Sequence, residues 1–163
     1  VNNAATNPFY GSVLEVDESA WDKTLAVNLK GPFFMSQHAA GLMRKNGGGS
    51  IVNVSSINGR IPMLNQSVYS ITKAALISMT QAFAKELGRD NIRVNAVLPG
   101  LTDTKFASAL TQNEDLMRNV LQKIPLGRIA KPSEMSGMIL FLVSSAASYI
   151  TGSTFTVDGG MLA

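Results

Sequence analysis

Apolar and polar positions alternate along this chain in two rhythms. Three short runs are rich in β-branched residues and have strand length: Ser50 to Ser55 (SIVNVS), Ile92 to Leu98 (IRVNAVL) and Thr154 to Val157. Longer runs carry the helical period. In Ser67 to Gly88, the residues Val68, Ile71, Ala75, Met79 and Phe83 recur at 3.6-residue spacing and predict a buried stripe, with Gly88 ending the helix. Glu18 to about Lys45 predicts a second long helix, with Asp17 as its N-cap, acidic residues in its first turn and Gly47-Gly48-Gly49 stopping it. Asn113 to Lys123 predicts a short helix inside a long irregular region. Pro132 suits the first turn of a further helix to about Ser144.

Val1-Asn2-Asn3-Ala4 reads as a strand end entering a loop. Pro99-Gly100 stops the second run, and Asp158-Gly159-Gly160 closes the last one. Strands that alternate with helices predict an α/β protein, its parallel sheet covered on both faces. Residues 1–163 form a single domain without repeats or linkers.

One proline marks the first long helix. In Asn28-Leu29-Lys30-Gly31-Pro32, Pro32 has no N–H with which to bond the carbonyl of Asn28. Either the helix continues with a kink and frees that carbonyl toward a cleft, where it can hold a water, or two shorter helices meet at Gly31.

Composition narrows the function. Of 163 residues, 45% are hydrophobic and 15% charged, which supports a real core and excludes disorder. No apolar stretch approaches a membrane span. The net charge of +3 comes from dispersed basic residues, Arg44-Lys45 being their one adjacent pair, so no nucleic-acid stripe forms. Zero cysteines remove disulfides, thiolate zinc sites and cysteine nucleophiles. A single histidine argues against a histidine metal cluster or triad, so no metal is expected. That residue, His38, reads as packing or surface, and Trp21 as an anchor for the start of its helix. Met35, Met79 and Met138 read as core filler. A chain without a signal-peptide pattern is expected in the cytoplasm.

Candidate chemistry centres on Tyr69 and Lys73, four apart on one helix and so on one face. A phenol is too weak an acid for neutral pH, and an ammonium one turn away favours the phenolate. Ser56 lies at the carboxyl end of a predicted strand, where open α/β sheets place their ligands. Its hydroxyl can hold a substrate oxygen beside the phenol, although Ser55-Ser56 also suits an ordinary turn.

Taken in order, several segments resemble the short-chain dehydrogenase/reductase (SDR) family. They are Asn-Asn-Ala-Ala at 2–5, Val-Asn-Leu-Lys-Gly at 27–31, Val-Ser-Ser at 54–56, Tyr-Ser-Ile-Thr-Lys at 69–73, Arg-Val-Asn-Ala-Val-Leu-Pro-Gly at 93–100 and Thr-Gly-Ser-Thr-Phe-Thr-Val-Asp-Gly-Gly at 151–160. The resemblance covers essentially the whole chain. It implies a Rossmann-like, three-layer, doubly wound parallel sheet and an oxidoreductase that interconverts a carbonyl and an alcohol with NAD or NADP.

By that resemblance Tyr69 is the general acid or base, and Lys73 lowers its pKa and holds the nicotinamide ribose. Ser56 orients the carbonyl, and Asn28 keeps a relay water. Hydride passes at nicotinamide C4, since the cofactor carries the redox chemistry. Asn2 and Ala4 lie near the adenosine half, Pro99, Gly100 and Thr102 flank the nicotinamide, and Thr104 reaches the diphosphate. Ile57, Met63, Gln66 and Phe106 are candidate substrate contacts. Residues 101–128 resemble the family's lid, with Leu110 and Met117 as further apolar candidates. Helices 18–45 and 67–88 resemble the family's dimer-forming pair, so a homo-oligomer is expected, with helix 132–144 and the last strand as a second interface. The substrate is expected to be a neutral or apolar ketone or alcohol.

The family's Thr-Gly-x-x-x-Gly-x-Gly turn, which cradles the cofactor diphosphate, has no counterpart in these residues, and Gly47-Gly48-Gly49 precedes a strand. Val1 falls by resemblance in the fourth strand of seven, so the chain is expected to correspond to strands 4 to 7. That makes it the C-terminal two-thirds of a family member, shorter by on the order of 80 to 90 residues. A rival expectation follows: a non-catalytic oligomerisation or interaction module that keeps the four site residues but cannot hold cofactor.

Overall fold

The computed structural model describes residues 1–104 and 114–163. Strands β1 (Gly49–Val54), β2 (Ile92–Pro99) and β3 (Thr154–Val157) form a parallel sheet in the order β1-β2-β3. The register sets Ile51 beside Val94 and Val97 beside Phe155. The opening segment adds one parallel bridge, Asn2 to Asn53, on the free side of β1, where the Asn2 N–H donates to Val52 O at 2.8 Å and Val54 N–H to Asn2 O at 2.9 Å. Of the four strands expected by resemblance, three therefore form, with a single bridge at the place of the first.

Of the helices α1 (Glu18–Leu25), α2 (Gly31–Lys45), α3 (Ser67–Leu87), α4 (Glu114–Leu121) and α5 (Ser133–Val143), α2, α3 and α5 pack on the sheet, and α1 packs on α3. Side chains alternate across a strand, so β1 sends Ile51 to one face and Val52 to the other. Ile51 joins Ala40 of α2, Ala84 of α3, and Ile92 and Val94 of β2. Val52 joins Val97 and Leu142 of α5, with Ala147. Helices on both faces make the three-layer, doubly wound, Rossmann-like arrangement. The residues gathered at its centre, such as Val52, Val97 and Leu142, are fully buried and each contributes roughly 1.5–3 kcal/mol through lost apolar hydration.

Local chemistry sets the boundaries. The Asp17 carboxylate accepts the Ala20 N–H at 2.7 Å and caps α1. After α2, Gly47 and Gly48 take φ of 85° and 132°, and a Cβ on Gly48 would meet the Asn91 carbonyl at 2.4 Å. Only glycine turns the chain there into β1.

Three expectations are corrected. Between α1 and α2 the helix neither stops nor simply kinks: residues Ala26–Lys30 form a π-helical turn, in which the Gly31 N–H bonds Ala26 O. The extra residue in that turn accommodates the proline that cannot donate to Asn28. Met35 is 65% exposed and is no part of the core, whereas Met79 is buried and Met138 packs on the Val52 cluster. The buried face of α3 is also wider than its apolar period indicates and is shifted from it: Val68 and Met79 are buried and Ala75 and Phe83 half-buried. Ile71 is half exposed, while Tyr69, Thr72, Lys73, Leu76 and Thr80 are buried. Polar side chains take the inward face because each finds a partner there, Thr80 bonding Leu76 O at 2.8 Å and Asn53 at 2.9 Å. His38 is a surface residue bonded to Phe34 O at 2.6 Å, and Trp21 is 38% exposed at the start of α1.

Candidate active site

The carboxyl ends of the strands meet along one edge of the sheet. Ser55 and Ser56 follow β1, Pro99 and Gly100 end β2, Asp158 follows β3, and Asn2 bridges at the far side. Helix α3 packs on β2 and lowers Tyr69 and Lys73 onto that edge. The Lys73 ammonium donates to Val54 O at 2.9 Å and lies 5.4 Å from the Tyr69 ring centre. Tyr69 hydrogen-bonds the Ser56 side chain. Tyr69, Lys73 and Ser56, named from the sequence, thus form one cluster.

Two contacts fix that cluster. The Ser55 hydroxyl donates to Lys73 O at 2.8 Å in a buried setting. The turn Ile57–Gly59 then packs so closely on α3 that a Cβ at Gly59 would meet Lys73 C and O at 2.8 Å. Sequence reasoning missed Gly59, although the Asn58-Gly59 pair in the loop after the strand signals a tight turn. It also missed Thr72, whose hydroxyl donates to Tyr69 O at 2.8 Å and accepts from Asn28 Nδ2 at 3.2 Å.

Asn28 is fully buried. Its side chain accepts the Thr6 N–H at 2.8 Å and donates to Thr6 O at 2.9 Å, clamping the segment after Ala4 to the π turn. The Asn2 amide donates to Ser36 at 2.9 Å and Asn53 at 2.8 Å, so its side chain points into the layer under α2 and α3, while Ala4 is exposed at the edge.

Pro99 pairs with Val157, and Gly100 sits where a Cβ would strike Asp158 at 2.7 Å. Thr102 bridges Ala130 and bonds Gly100 O at 3.1 Å, and Thr104 is exposed. Ile57 and Gln66 are buried and Met63 is half-buried, all in the stretch between Ser56 and α3. Phe106 and Leu110, with the rest of 105–113 in the expected lid, lie outside the described residues. Met117 is half-buried on α4.

The electrostatics depart from expectation. Burial pushes the Tyr69 phenol up to about 12, and the Ser56 hydrogen bond offsets only part of that. Burial likewise pulls Lys73 down to about 8. Loss of hydration disfavours the phenolate and the ammonium alike, and for the phenol it outweighs the lowering expected from its lysine neighbour.

A parallel sheet wound on both faces, with tyrosine, lysine and serine converging at its carboxyl edge, defines a Rossmann-like α/β protein with a candidate site at that edge. The family model described as Enoyl-(Acyl carrier protein) reductase matches residues 1–162. Dehydrogenase/reductase SDR family member 4 of Oryctolagus cuniculus is 43% identical over 160 residues, covering 98% of this chain and 62% of that protein. An uncharacterized oxidoreductase of Thermotoga maritima is 42% identical, covering 100% of this chain and 66% of that protein. Among solved structures, a gluconate 5-dehydrogenase from Burkholderia cenocepacia in complex with NADP and tartrate superposes with a TM-score of 0.96 at 28% identity, over 99% of this chain and 63% of that one. A 4-hydroxyisoleucine dehydrogenase complexed with NADH gives 0.93 at 32% identity, over 98% and 66%. The chain belongs to the short-chain dehydrogenase/reductase family. It spans about three-fifths of the length of the curated relatives it matches.

Proposed function

We propose that this protein is part of an NAD(P)-dependent oxidoreductase that interconverts a carbonyl and an alcohol, with Tyr69 as its general acid or base. The observation that carries this reading is the single buried cluster of Tyr69, Ser56 and Lys73 at the carboxyl edge of the sheet. In reduction Tyr69, which holds its proton at neutral pH, gives it to the carbonyl oxygen as negative charge develops there. Ser56 donates to the same oxygen and fixes its position. The Lys73 charge stabilises the phenolate as it forms, and in oxidation the proton returns to Tyr69. Asn28, whose carbonyl Pro32 cannot bond, holds the water that reconnects Lys73 to solvent.

The residues present fit a dinucleotide. Among the described residues, Val54 O is the one hydrogen-bond acceptor of the Lys73 ammonium, which has three N–H donors and so has donors left for sugar hydroxyls. Pro99, Gly100 and Thr102 would flank the nicotinamide, Thr104 would reach the diphosphate, and Asn2 and Ala4 would lie near the adenosine half. When bound, the nicotinamide supplies or accepts the hydride. NADP in one structural neighbour and NADH in another support the cofactor class. The substrate is a small ketone or alcohol, and cytoplasm is the compartment proposed. No helix among the described residues is long and apolar enough to cross a membrane.

The test is a fluorescence titration with NADH and NADPH, for the wild type and Lys73→Met. Saturable binding, weakened about tenfold or more by the loss of charge-assisted hydrogen bonds, supports the reading. A folded protein that binds neither cofactor supports the non-catalytic module instead.

A further inference from the structure

Beside the Tyr69 cluster runs a second chain of buried hydrogen bonds that no acid–base role uses. The Asn58 backbone N–H donates to the Ser56 hydroxyl at 3.1 Å, and its side-chain Nδ2 donates to Gln66 Oε1 at 3.2 Å. Asn58 is 6% exposed and Gln66 5%. Gln66 stands at the N-terminal boundary of α3, three positions before Tyr69. The links Tyr69–Ser56–Asn58–Gln66 thus run from the phenol to a carboxamide.

The order of donors decides what this carboxamide offers. An amide has an acceptor end and a donor end. Asn58 Nδ2 occupies the acceptor end of Gln66, so the NH2 group is the end left available. Among the described residues its one partner is the Met63 sulfur, at 3.6 Å. A thioether is a weak acceptor, and a nearly buried amide N–H gains by exchanging it for an oxygen.

We infer that Gln66 is a specificity-determining donor, oriented by Asn58, which selects substrates bearing an acceptor oxygen close to the reacting carbonyl and displaces the Met63 sulfur when such a substrate binds. The inference rests on the oxidoreductase reading above and narrows its substrate class from any small ketone to an oxygen-substituted one. A site built to donate a hydrogen bond discriminates against the analogue that lacks the acceptor, because the donor is then left with the poorer partner.

The test uses two ketones of nearly equal shape, methoxyacetone and 2-pentanone, which differ by one ether oxygen in place of a methylene. The quantity read is the ratio of their kcat/KM values, compared between wild type and variants so that intrinsic reactivity cancels. Gln66→Leu is expected to lower the ratio about fivefold to tenfold, the scale of one neutral hydrogen bond. Asn58→Asp separates orientation from packing. Its carboxylate accepts only, so Gln66 must turn its NH2 toward it, and the ratio should fall similarly although Gln66 is unchanged and the backbone N–H to Ser56 is kept. Ratios that stay constant in both variants, with turnover retained, overturn the Gln66 assignment alone. No turnover of either ketone by wild type counts against the oxidoreductase reading itself.

Discussion

At the scale of single residues, Tyr69 and Lys73 show what spacing reveals and what it hides. Their i, i+4 placement was legible because it follows from helix geometry. The direction of the phenol's shift was not, because it depends on how deeply both groups sink, and depth is set by Gly59, Ser55 and the sheet beneath. Burial has a measurable signature in stability. The Lys73 pKa of about 8 lies below its ordinary 10.5, so between those values the unfolded chain binds more protons than the folded one. Stability due to this group therefore rises as pH increases through that window, by on the order of 3 kcal/mol for a shift of this size. Tyr69 acts oppositely and later, holding its proton in the fold up to about 12 where the unfolded chain loses it. Lys73→Met removes the first effect only. Denaturant unfolding should therefore show the difference between wild type and Lys73→Met moving in the wild type's favour by about 3 kcal/mol between roughly pH 7 and roughly 10.5. A pH-independent difference would contradict a desolvated ammonium.

At the scale of elements, α3 carries the clearest lesson. Its apolar period indicated one buried stripe, of which Val68 and Met79 are buried, yet Tyr69, Thr72, Lys73 and Thr80 are buried beside them and Ile71 is not. A helix that is apolar on more than one side cannot declare from period alone which side faces the sheet, whereas capping by Asp17 and the glycine stop before β1 are local and were readable. The π turn was half readable: Pro32 announced a disrupted ladder, but the repair by one extra residue depends on how Asn28 is held by Thr6 and Thr72. Gly59 is where element packing sets the site. Gly59→Ala places a Cβ against main-chain atoms of Lys73 that cannot rotate away, so a loss of about 1–3 kcal/mol is expected, with turnover falling further as Lys73 and Tyr69 shift together. Thermal melts and kcat measured side by side check this, and an unchanged kcat would show that the turn does not position the site.

On the scale of the molecule, the alternation of strands and helices was enough to give a parallel sheet with two covered faces, since few other arrangements bury both sides of such strands. The first strand expected by resemblance shrinks to the Asn2 bridge because pairing depends on neighbours that periodicity does not register. The outer faces of α2 and α3 enclose an apolar groove of about 600 Å³ lined by Phe33, Ala75, Met79, Ala82 and Phe83, away from Tyr69. Phe33 meets Phe83 edge-on at 5.2 Å. These are the two helices expected to pair in an oligomer, and the proposed homo-oligomer predicts that Phe33→Glu, which places a charge in that groove, lowers the sedimenting mass toward the monomer. An unchanged mass would place the contact elsewhere.

The most direct test of the whole account is Tyr69→Phe, which removes one oxygen atom and leaves the ring packed. Cofactor binding and melting temperature are expected to stay close to wild type while carbonyl reduction falls by about a thousandfold or more, the scale of a lost general acid. Turnover within tenfold of wild type, with cofactor still bound, would contradict the assignment of Tyr69 as the proton donor.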